Sequence, residues 1–415
     1  MNQQIVSNIS KYAGMLSKEG FTECGYLAVK ADGGMYITNA YSVFENLTAE
    51  DITFVTNKTV TDLDGNFRAA ALILFSVFKN NADLGAAAIV DSKSIVEFSA
   101  KRKTLTPLLD DMAQIDGISV RCAKQNNAVE VIMALSGLRN ACFLPEAGAV
   151  VTGRTLDEVY TAALVLDKAC NCYLLAERKG GVHPHSLLNA VLEHVVYKLK
   201  YSKKNQDSQK AAEEGKEVHT EERPSAIVTD EQKALAQAVK DAGVRLLEEN
   251  LVQGTWGNIA VRCGDKHMLV TPTALDYIML QPSQMAVVNL EDGEWEGSNK
   301  PTSERKMHAA LLNAHADVNA TIHTHPFYGC VLAAMGKDLP VPEQYRDVLG
   351  DTVPCAKAAL PGTKKLVKNV TSAIGDSKAC FLGNHGVIVM GKDLEDAFKI
   401  CRALEDACRD YLLAE

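Results

Sequence analysis

The sequence predicts two tandem copies of one domain, each an α/β or α+β unit in which helices flank several short strands. Three observations support this prediction. Residues 141–177 match residues 379–415 without a gap, and both stretches begin with ACFL and end with YLLAE. Short strand-like runs lie between amphipathic helical segments in the second copy. A length of 415 residues suits two domains, or three at most.

Composition and charge narrow the classes of function. Apolar residues make up 47% of the chain and charged residues 23%, the balance of an ordinary soluble protein. The net charge of -9 argues against nucleic acid and anionic membranes as partners. The longest strongly apolar run, residues 69–78, is too short to cross a bilayer, and the first residues lack a secretion signal. We therefore expect a cytoplasmic protein whose eleven cysteines are free thiols.

A polar segment separates the two copies. Residues 202–225 contain Val218 as their only large aliphatic residue and no aromatic residue. Such a segment cannot bury enough apolar surface to offset the entropy lost on ordering. We therefore place the first domain at residues 1–200, a flexible linker at 201–226 and the second domain at 227–415.

The second copy is predicted to begin and end with amphipathic helices. Thr229, with Gln232 three residues later, is typical of a capping box at a helix start. The closing helix carries apolar residues at three-to-four spacing from Leu394 to Leu412. Between these helices we predict strands at four runs, which are NIAVRC, HMLVTP, ATIHTH and GVIVMG.

Three histidines of the second copy are candidate metal ligands. His323 and His325 are two residues apart at the end of a predicted strand, so their side chains should point to one face. His385 lies just before another predicted strand. Three imidazoles are the ligand set of an open catalytic zinc site, although an H-x-H pair alone is weak evidence.

The first copy lacks this histidine set. Its residues at the corresponding positions are Ile89, Asp91 and Ala147. Joint loss of all three is expected if the three histidines act together in the second copy. A further histidine, His308, lies among apolar residues of a predicted helix, which favours a core or supporting role over ligation.

Three polar segments complete the set of candidates. Glu304 follows a Thr-Ser pair at the start of a predicted helix, where a carboxylate could act as general acid or base beside a metal. On spacing alone, helix capping explains this segment better. The segments 254–258 and 271–274 could hold an anion, although each by itself is only a turn signal.

Taken together, these motifs resemble those of the class II aldolase/adducin family, and most closely its L-fuculose-phosphate aldolase branch. The resemblance rests on GTWGNIAVR, MLVTPTALDY, KPTSERKMH, HTHP and GNHGVIVMG in this order, and it spans residues 230–415, roughly. It implies an α/β/α domain with a mostly antiparallel central sheet. The expected fold class is therefore α/β, with two such domains in tandem.

The resemblance also implies roles for individual residues. His323, His325 and His385 would hold a divalent metal, usually Zn²⁺, and Glu304 would be the catalytic acidic residue. Aldolases of the family have Glu at this position, whereas the ribulose-phosphate 4-epimerases have Asp. The positions that match the family's phosphate-binding residues are Thr255, Asn258, Thr273, Thr302 and Ser303.

The expected function is that of a metal-dependent carbon–carbon lyase, an aldolase. Its substrate would be a small phosphorylated keto-sugar or hydroxy-ketone, cleaved through a metal-stabilised enediolate, with Glu304 moving the proton. A related epimerase, dehydratase or decarboxylase on the same fold remains an alternative. So does an adducin-like scaffold, but adducin-type domains lack the metal histidines that the second copy keeps.

Assembly is the last expectation. Family members usually form rings of four domains, so two chains with two copies each would give a homodimer with a pseudo-fourfold ring. The first copy has Glu23 and Tyr26 in place of Thr255 and Asn258, and we expect it to be inactive. A tyrosine from a neighbouring domain usually assists proton transfer in the family, and Tyr345 is its nearest match here.

Overall fold

The computed structural model describes residues 2–21, 25–201, 224–252, 256–273, 275 and 277–414. The chain divides into two units, the first built from Met1–Leu174 and His185–Val195, the second from Leu175–Pro184 and Val196–Glu415. The predicted linker lies mostly outside the described residues, and the domain boundaries at 200 and 227 stay a prediction.

The first unit is an α/β/α domain around a seven-stranded sheet of order β3-β2-β1-β4-β7-β6-β5. Neighbouring strands are antiparallel, except that β5 and β6 are parallel. The strands are β1 Tyr26–Ala31, β2 Gly34–Thr38, β3 Ile52–Thr56, β4 Ala86–Val90, β5 Arg121–Cys122, β6 Ala141–Leu144 and β7 Gly148–Gly153. The helices are α1 Gln3–Lys18, α2 Gly65–Asn80, α3 Lys93–Ala100, α4 Asp110–Ile115, α5 Ala128–Leu135, α6 Leu156–Arg178 and α7 Leu187–Val196. Helices α2 and α5 pack on one face of the sheet, and α3 packs against β6 and β7.

The second unit repeats this plan around an eight-stranded sheet of order β11-β10-β9-β8-β12-β17-β16-β15. Here β15 and β16 are the parallel pair. The strands are β8 Asn258–Cys263, β9 His267–Val270, β10 Ala286–Asn289, β11 Trp295–Glu296, β12 Ala320–Thr324, β13 Leu339–Pro340, β14 Thr352–Val353, β15 Cys355–Ala356, β16 Ala379–Leu382 and β17 Gly386–Gly391. The helices are α8 Asp230–Glu248, α9 Arg305–Ala314, α10 Phe327–Met335, α11 Arg346–Leu349, α12 Lys364–Ile374 and α13 Leu394–Leu413.

The register of the strands confirms that the two units are copies of one domain. In the first unit Tyr26 of β1 stands opposite Ile89 of β4. In the second unit Asn258 of β8 stands opposite His323 of β12, the corresponding position. The predicted fold class, two tandem α/β/α domains with mostly antiparallel sheets, is confirmed.

The helices of the second unit follow from the sequence pattern that predicts them. The Thr229 hydroxyl accepts the backbone N–H of Gln232, and the Gln232 side chain accepts that of Thr229, so the capping box is formed. Met307 and Leu311 of α9, together with Leu366 of α12, bury their side chains against one sheet face. Helices α10 and α13 pack together and cover the opposite face at β17. The sheet is therefore covered on both faces, as an α/β/α domain requires.

One helix, Leu156–Arg178, is long and apolar enough to cross a membrane by length and composition alone. Buried residues make up 61% of its most apolar window, as in the core helix of a soluble domain, so this is weak evidence for a membrane span. Ten of the cysteines lie within the described residues, and all ten are free thiols, as predicted.

Candidate active site

Three buried imidazoles converge at the end of β12 in the second unit. The Nε2 atom of His323 lies 3.0 Å from Nε2 of His325 and 2.9 Å from Nε2 of His385. All three side chains are buried, and their nitrogen atoms form a cluster able to hold a metal ion. The structure thus brings together the three histidines that the sequence predicts as ligands.

A backbone contact sets the direction of the His323 ring. The Nδ1–H of His323 donates to the carbonyl oxygen of Val387 at 2.8 Å, across the pairing of β12 with β17. A ring whose Nδ1 carries the proton presents the Nε2 lone pair to the cluster. Gly386 leaves room for the neighbouring His325 ring, because a Cβ atom at position 386 would lie 2.8 Å from Cδ2 of that ring.

The carboxylate of Glu304 adjoins the histidines. Its Oε2 atom lies 3.1 Å from Nε2 of His323, and its Oε1 atom lies 3.3 Å from Nε2 of His385. Burial alone would raise the pKa of this carboxyl, but the charges of His323 and His385 and hydrogen bonds from His385 and Asn258 lower the pKa well below its usual range. The charges and hydrogen bonds around Glu304 therefore favour its ionised form.

Asn258 of β8 contacts the Glu304 carboxylate, and His308 of α9 contacts Asn258 in turn. The Asn258 amide lies 3.1 Å from Oε2 of Glu304, and its Oδ1 atom lies 2.5 Å from Nε2 of His308. The other ring nitrogen of His308 lies 2.6 Å from the hydroxyl of Thr321. Burial lowers the pKa of His308 to about 3, and the charge of His323 adds to this effect, so the ring is neutral at pH 7.

The predicted phosphate-binding positions are only partly grouped. Thr302 accepts the backbone N–H of Glu304, and Thr273 donates to the carbonyl oxygen of Pro301, so both line the turn before α9. Ser303 is exposed in the same turn, and Thr255 lies outside the described residues. Asn258 is bonded to Glu304 and His308 in this structure. The phosphate role of these residues stays a prediction.

Tyr345 has other partners. It lies at the end of the short 3-10 turn Glu343–Tyr345, and its hydroxyl donates to Oδ2 of Asp410 in α13 at 2.7 Å. This hydrogen bond raises the pKa of the Tyr345 hydroxyl. Its catalytic role in a neighbouring domain stays a prediction.

A contact that the sequence does not indicate holds the loop before His385. The side chain of Asn384 donates to the backbone carbonyl oxygen of His183. Its backbone N–H donates to the carbonyl oxygen of Ala333 at 3.0 Å. Asn384 adopts a left-handed backbone with φ of 61°, which Asn tolerates better than most residues. This loop is thereby fixed from two sides.

In the first unit, Tyr26 and Ile89 stand at the positions of Asn258 and His323. The ring of Tyr26 stacks on Phe67 with centroids 6.1 Å apart, and Ile89 packs against the same cluster. Glu23 lies outside the described residues. The first unit has thus kept the fold and replaced the polar side chains that surround the histidines in the second.

Fold and site together define a class of protein: an α/β/α domain in which three buried imidazoles, grouped as metal ligands are, lie beside one buried carboxylate. The chain belongs to the family described as "Class II Aldolase and Adducin N-terminal domain", whose model matches residues 8–174 and 237–412. Both copies are therefore members of this family.

Named relatives are aldolases. The chain is 34% identical over 180 residues to "5-methylthioribulose-1-phosphate/5-deoxyribulose-1-phosphate aldolase" of Rhodospirillum rubrum. The matched region covers 43% of this chain and 80% of the relative. It is 31% identical over 183 residues to "L-fuculose phosphate aldolase" of Escherichia coli K12, covering 44% and 84% of the two chains. A solved structure of "L-fuculose 1-phosphate aldolase" matches with 32% sequence identity and a TM-score of 0.43. This match covers 45% of this chain and 88% of that chain.

Proposed function

We propose that the second unit is a metal-dependent aldolase that cleaves a small phosphorylated keto-sugar. The observation that carries the proposal is the convergence of His323, His325 and His385 on one point beside the buried Glu304. The names of the relatives give phosphorylated sugars as their substrates, and this supports the substrate class proposed here.

The donor set fits a divalent cation. Each imidazole offers one nitrogen, and two of the nitrogen pairs are 3.0 and 2.9 Å apart, close to what ligands about 2 Å from a shared ion need. In the neutral rings that bind a metal, each histidine presents one nitrogen lone pair, and a cation between the rings would accept all three. Zn²⁺ is the first candidate because it accepts three histidines and leaves a position open.

Each residue then has a separate task. A divalent cation at this site would supply Lewis acidity to the carbonyl oxygen of the substrate. Glu304 moves the proton: in a retro-aldol cleavage one hydroxyl loses a proton, the carbon–carbon bond breaks, and the carbon of the ketone fragment gains a proton. The turn that contains Thr273, Thr302 and Ser303 offers hydroxyl and backbone donors for a phosphate group.

The proposal is tested by metal analysis combined with an aldolase assay. We expect about one zinc or other divalent ion per chain, and release of dihydroxyacetone phosphate from at least one ketose 1-phosphate. 5-Deoxyribulose 1-phosphate, 5-methylthioribulose 1-phosphate and fuculose 1-phosphate are the first substrates to try, because they appear in the names of the relatives. Protein that folds without stoichiometric metal, or metal-loaded protein that converts none of these, would contradict the proposal.

For the first unit we propose a structural role. Ile89, Asp91 and Ala147 offer no imidazole, and Tyr26, at the position of Asn258, stacks on Phe67. A fold needs its core and not its ligands, so loss of the site leaves the domain able to stabilise the assembly.

A further inference from the structure

A line of four buried polar side chains crosses the interior of the second unit and ends on Glu304. It runs from Thr321 on β12 to His308 on α9, to Asn258 on β8 and to the carboxylate, through contacts of 2.6, 2.5 and 3.1 Å. Thr321 and His308 have no exposed surface. Buried polar groups arranged in a continuous line restrict one another's positions.

The donors and acceptors that each side chain offers determine the direction of each hydrogen bond. The Asn258 amide turns its NH₂ group to Oε2 of Glu304 and its oxygen, which can only accept, to Nε2 of His308. Nε2 of His308 must therefore carry the hydrogen. In a neutral ring Nδ1 then has a lone pair, and the Thr321 hydroxyl must donate to it.

We infer that Thr321, His308 and Asn258 form a positioning network that holds the Glu304 carboxylate in the orientation its proton transfer needs. The inference rests on the proposed function only for the role of Glu304, because the contacts follow from the structure and their directions from the neutral His308 ring. None of the three residues in the network lies among the three histidines of the metal cluster.

The first unit provides an internal comparison. At the positions of Thr321, His308, Asn258 and Glu304 it has Ala87, Leu74, Tyr26 and Ala70. Ala87 and Leu74 lie in the apolar core of that unit. The domain therefore folds without the network, and its polar members occur in the copy that keeps the histidines. This is expected of a network that serves a site.

The matched pair Thr321→Val and Thr321→Ser separates the hydroxyl from the shape of the side chain. Valine keeps the shape and removes the donor, whereas serine keeps the donor and removes a methyl group. We expect Thr321→Val to lower kcat roughly 10-fold or more, as for other supporting residues. We expect KM and bound metal to stay close to those of the wild type, and Thr321→Ser to keep kcat within about threefold.

Equal losses of kcat in the two variants, or full activity of Thr321→Val, would overturn the network. Thermal unfolding of both variants shows whether the domain still folds. Asn258 is unsuitable as the first variant, because the resemblance also predicts that it contacts phosphate, and its replacement would change KM as well.

A measurement on the wild-type protein separates the network from the aldolase proposal. NMR of isotope-labelled imidazole nitrogens reports the tautomer of each ring, with the His308 signal assigned by its loss in His308→Gln. We expect a neutral ring with hydrogen on Nε2 at pH 7, both with zinc and with chelator. Hydrogen on Nδ1, or a charged ring, would overturn the network whatever the activity. The expected tautomer without any aldolase turnover would instead contradict only the proposed function.

Discussion

The Nδ1–H of His323 donates to the carbonyl oxygen of Val387 at 2.8 Å, so a ladder of the central sheet sets the orientation of a candidate metal ligand. The ligand is thus held by the same strand pairing that forms the core. Because the backbone pairing of the two strands does not depend on the imidazole, side-chain substitutions in the cluster should leave the fold in place.

We predict that His323→Ala or His325→Ala removes bound metal and activity while the domain stays folded. An open site with three protein ligands contributes less to folding than a closed structural one. Metal content after dialysis and thermal unfolding, measured on the same samples, check this. His267→Ala, on β9, is the control and should keep its metal. Full activity in either cluster variant would show that the ligand assignment is wrong.

Glu304→Gln is expected to keep metal and fold but to lose turnover by about 100-fold or more, the usual effect of losing an acid–base group. The amide has nearly the same size, so the loss is one of proton transfer and not of packing. Steady-state kinetics with metal content measured in parallel tests this, and the exposed Glu291→Gln is the control. Unchanged turnover would show that Glu304 takes no part in proton transfer and serves only at the start of helix α9.

Gly386→Ala is expected to weaken metal binding without removing any ligand. The added Cβ atom would lie 2.7 Å from the carbonyl oxygen of Thr324 and 2.8 Å from the His325 ring, so strand or ring must shift. We expect metal affinity to fall roughly 10-fold, as for other residues that orient ligands. Gly14→Ala in α1 is the control, since its nearest contact would be 3.9 Å away. Equal metal affinity in both variants would contradict the argument.

The sequence predicts the duplication, the strands and the histidine cluster because each has a local signature. Strand alternation places His323 and His325 on one face, and the repeat shows which copy lost them. The same alternation puts Thr321 on that face, and the four-residue spacing of Glu304 and His308 puts both on one side of α9. These patterns could have indicated the network.

Other contacts have no signal in the sequence. The bond from Asn384 to His183 joins residues 201 positions apart, and nothing in either segment indicates the pairing. The resemblance predicts a phosphate contact for Asn258, and only the folded structure shows that its amide lies between Glu304 and His308. Contacts between distant elements depend on packing, which pattern and spacing do not specify.

A second buried carboxylate holds the helix that follows His325. Glu405 of α13 accepts the backbone N–H groups of Tyr328 and Gly329, both at 2.9 Å, at the start of α10. In the first unit Asp167 accepts the hydroxyls of Ser92 and Ser94 at the corresponding helix start. Since the first unit, which lacks the three histidines, also has a carboxylate at this helix start, we expect the role of Glu405 to be in the fold.

The free energy of unfolding should therefore depend on pH through Glu405. Burial raises the pKa of Glu405 to about 7 in the folded protein, against the ordinary value of 4.5. Between these values the folded protein holds a proton that the unfolded chain has released, so stability falls as pH rises from 4.5 to 7.

Glu405→Gln should lack this component. We expect the variant to lose less stability than the wild type between pH 5 and 7.5, roughly, and chemical denaturation in the presence of chelator measures the difference. The exposed Glu291→Gln is the control and should follow the wild type. Parallel pH profiles of wild type and Glu405→Gln would show that Glu405 is ionised in the folded protein.

The last prediction concerns stoichiometry. A copy without imidazoles at the corresponding positions cannot build the same site, so each chain should hold one metal ion, in the second unit. If family members form rings of four domains, two chains suffice, and we predict a homodimer with two metal ions. Sedimentation equilibrium gives the mass of the assembly, and metal analysis of the same fraction gives the count. Four ions per dimer would show that the first unit has a site of its own. A fully active monomer would show that the site needs no second chain.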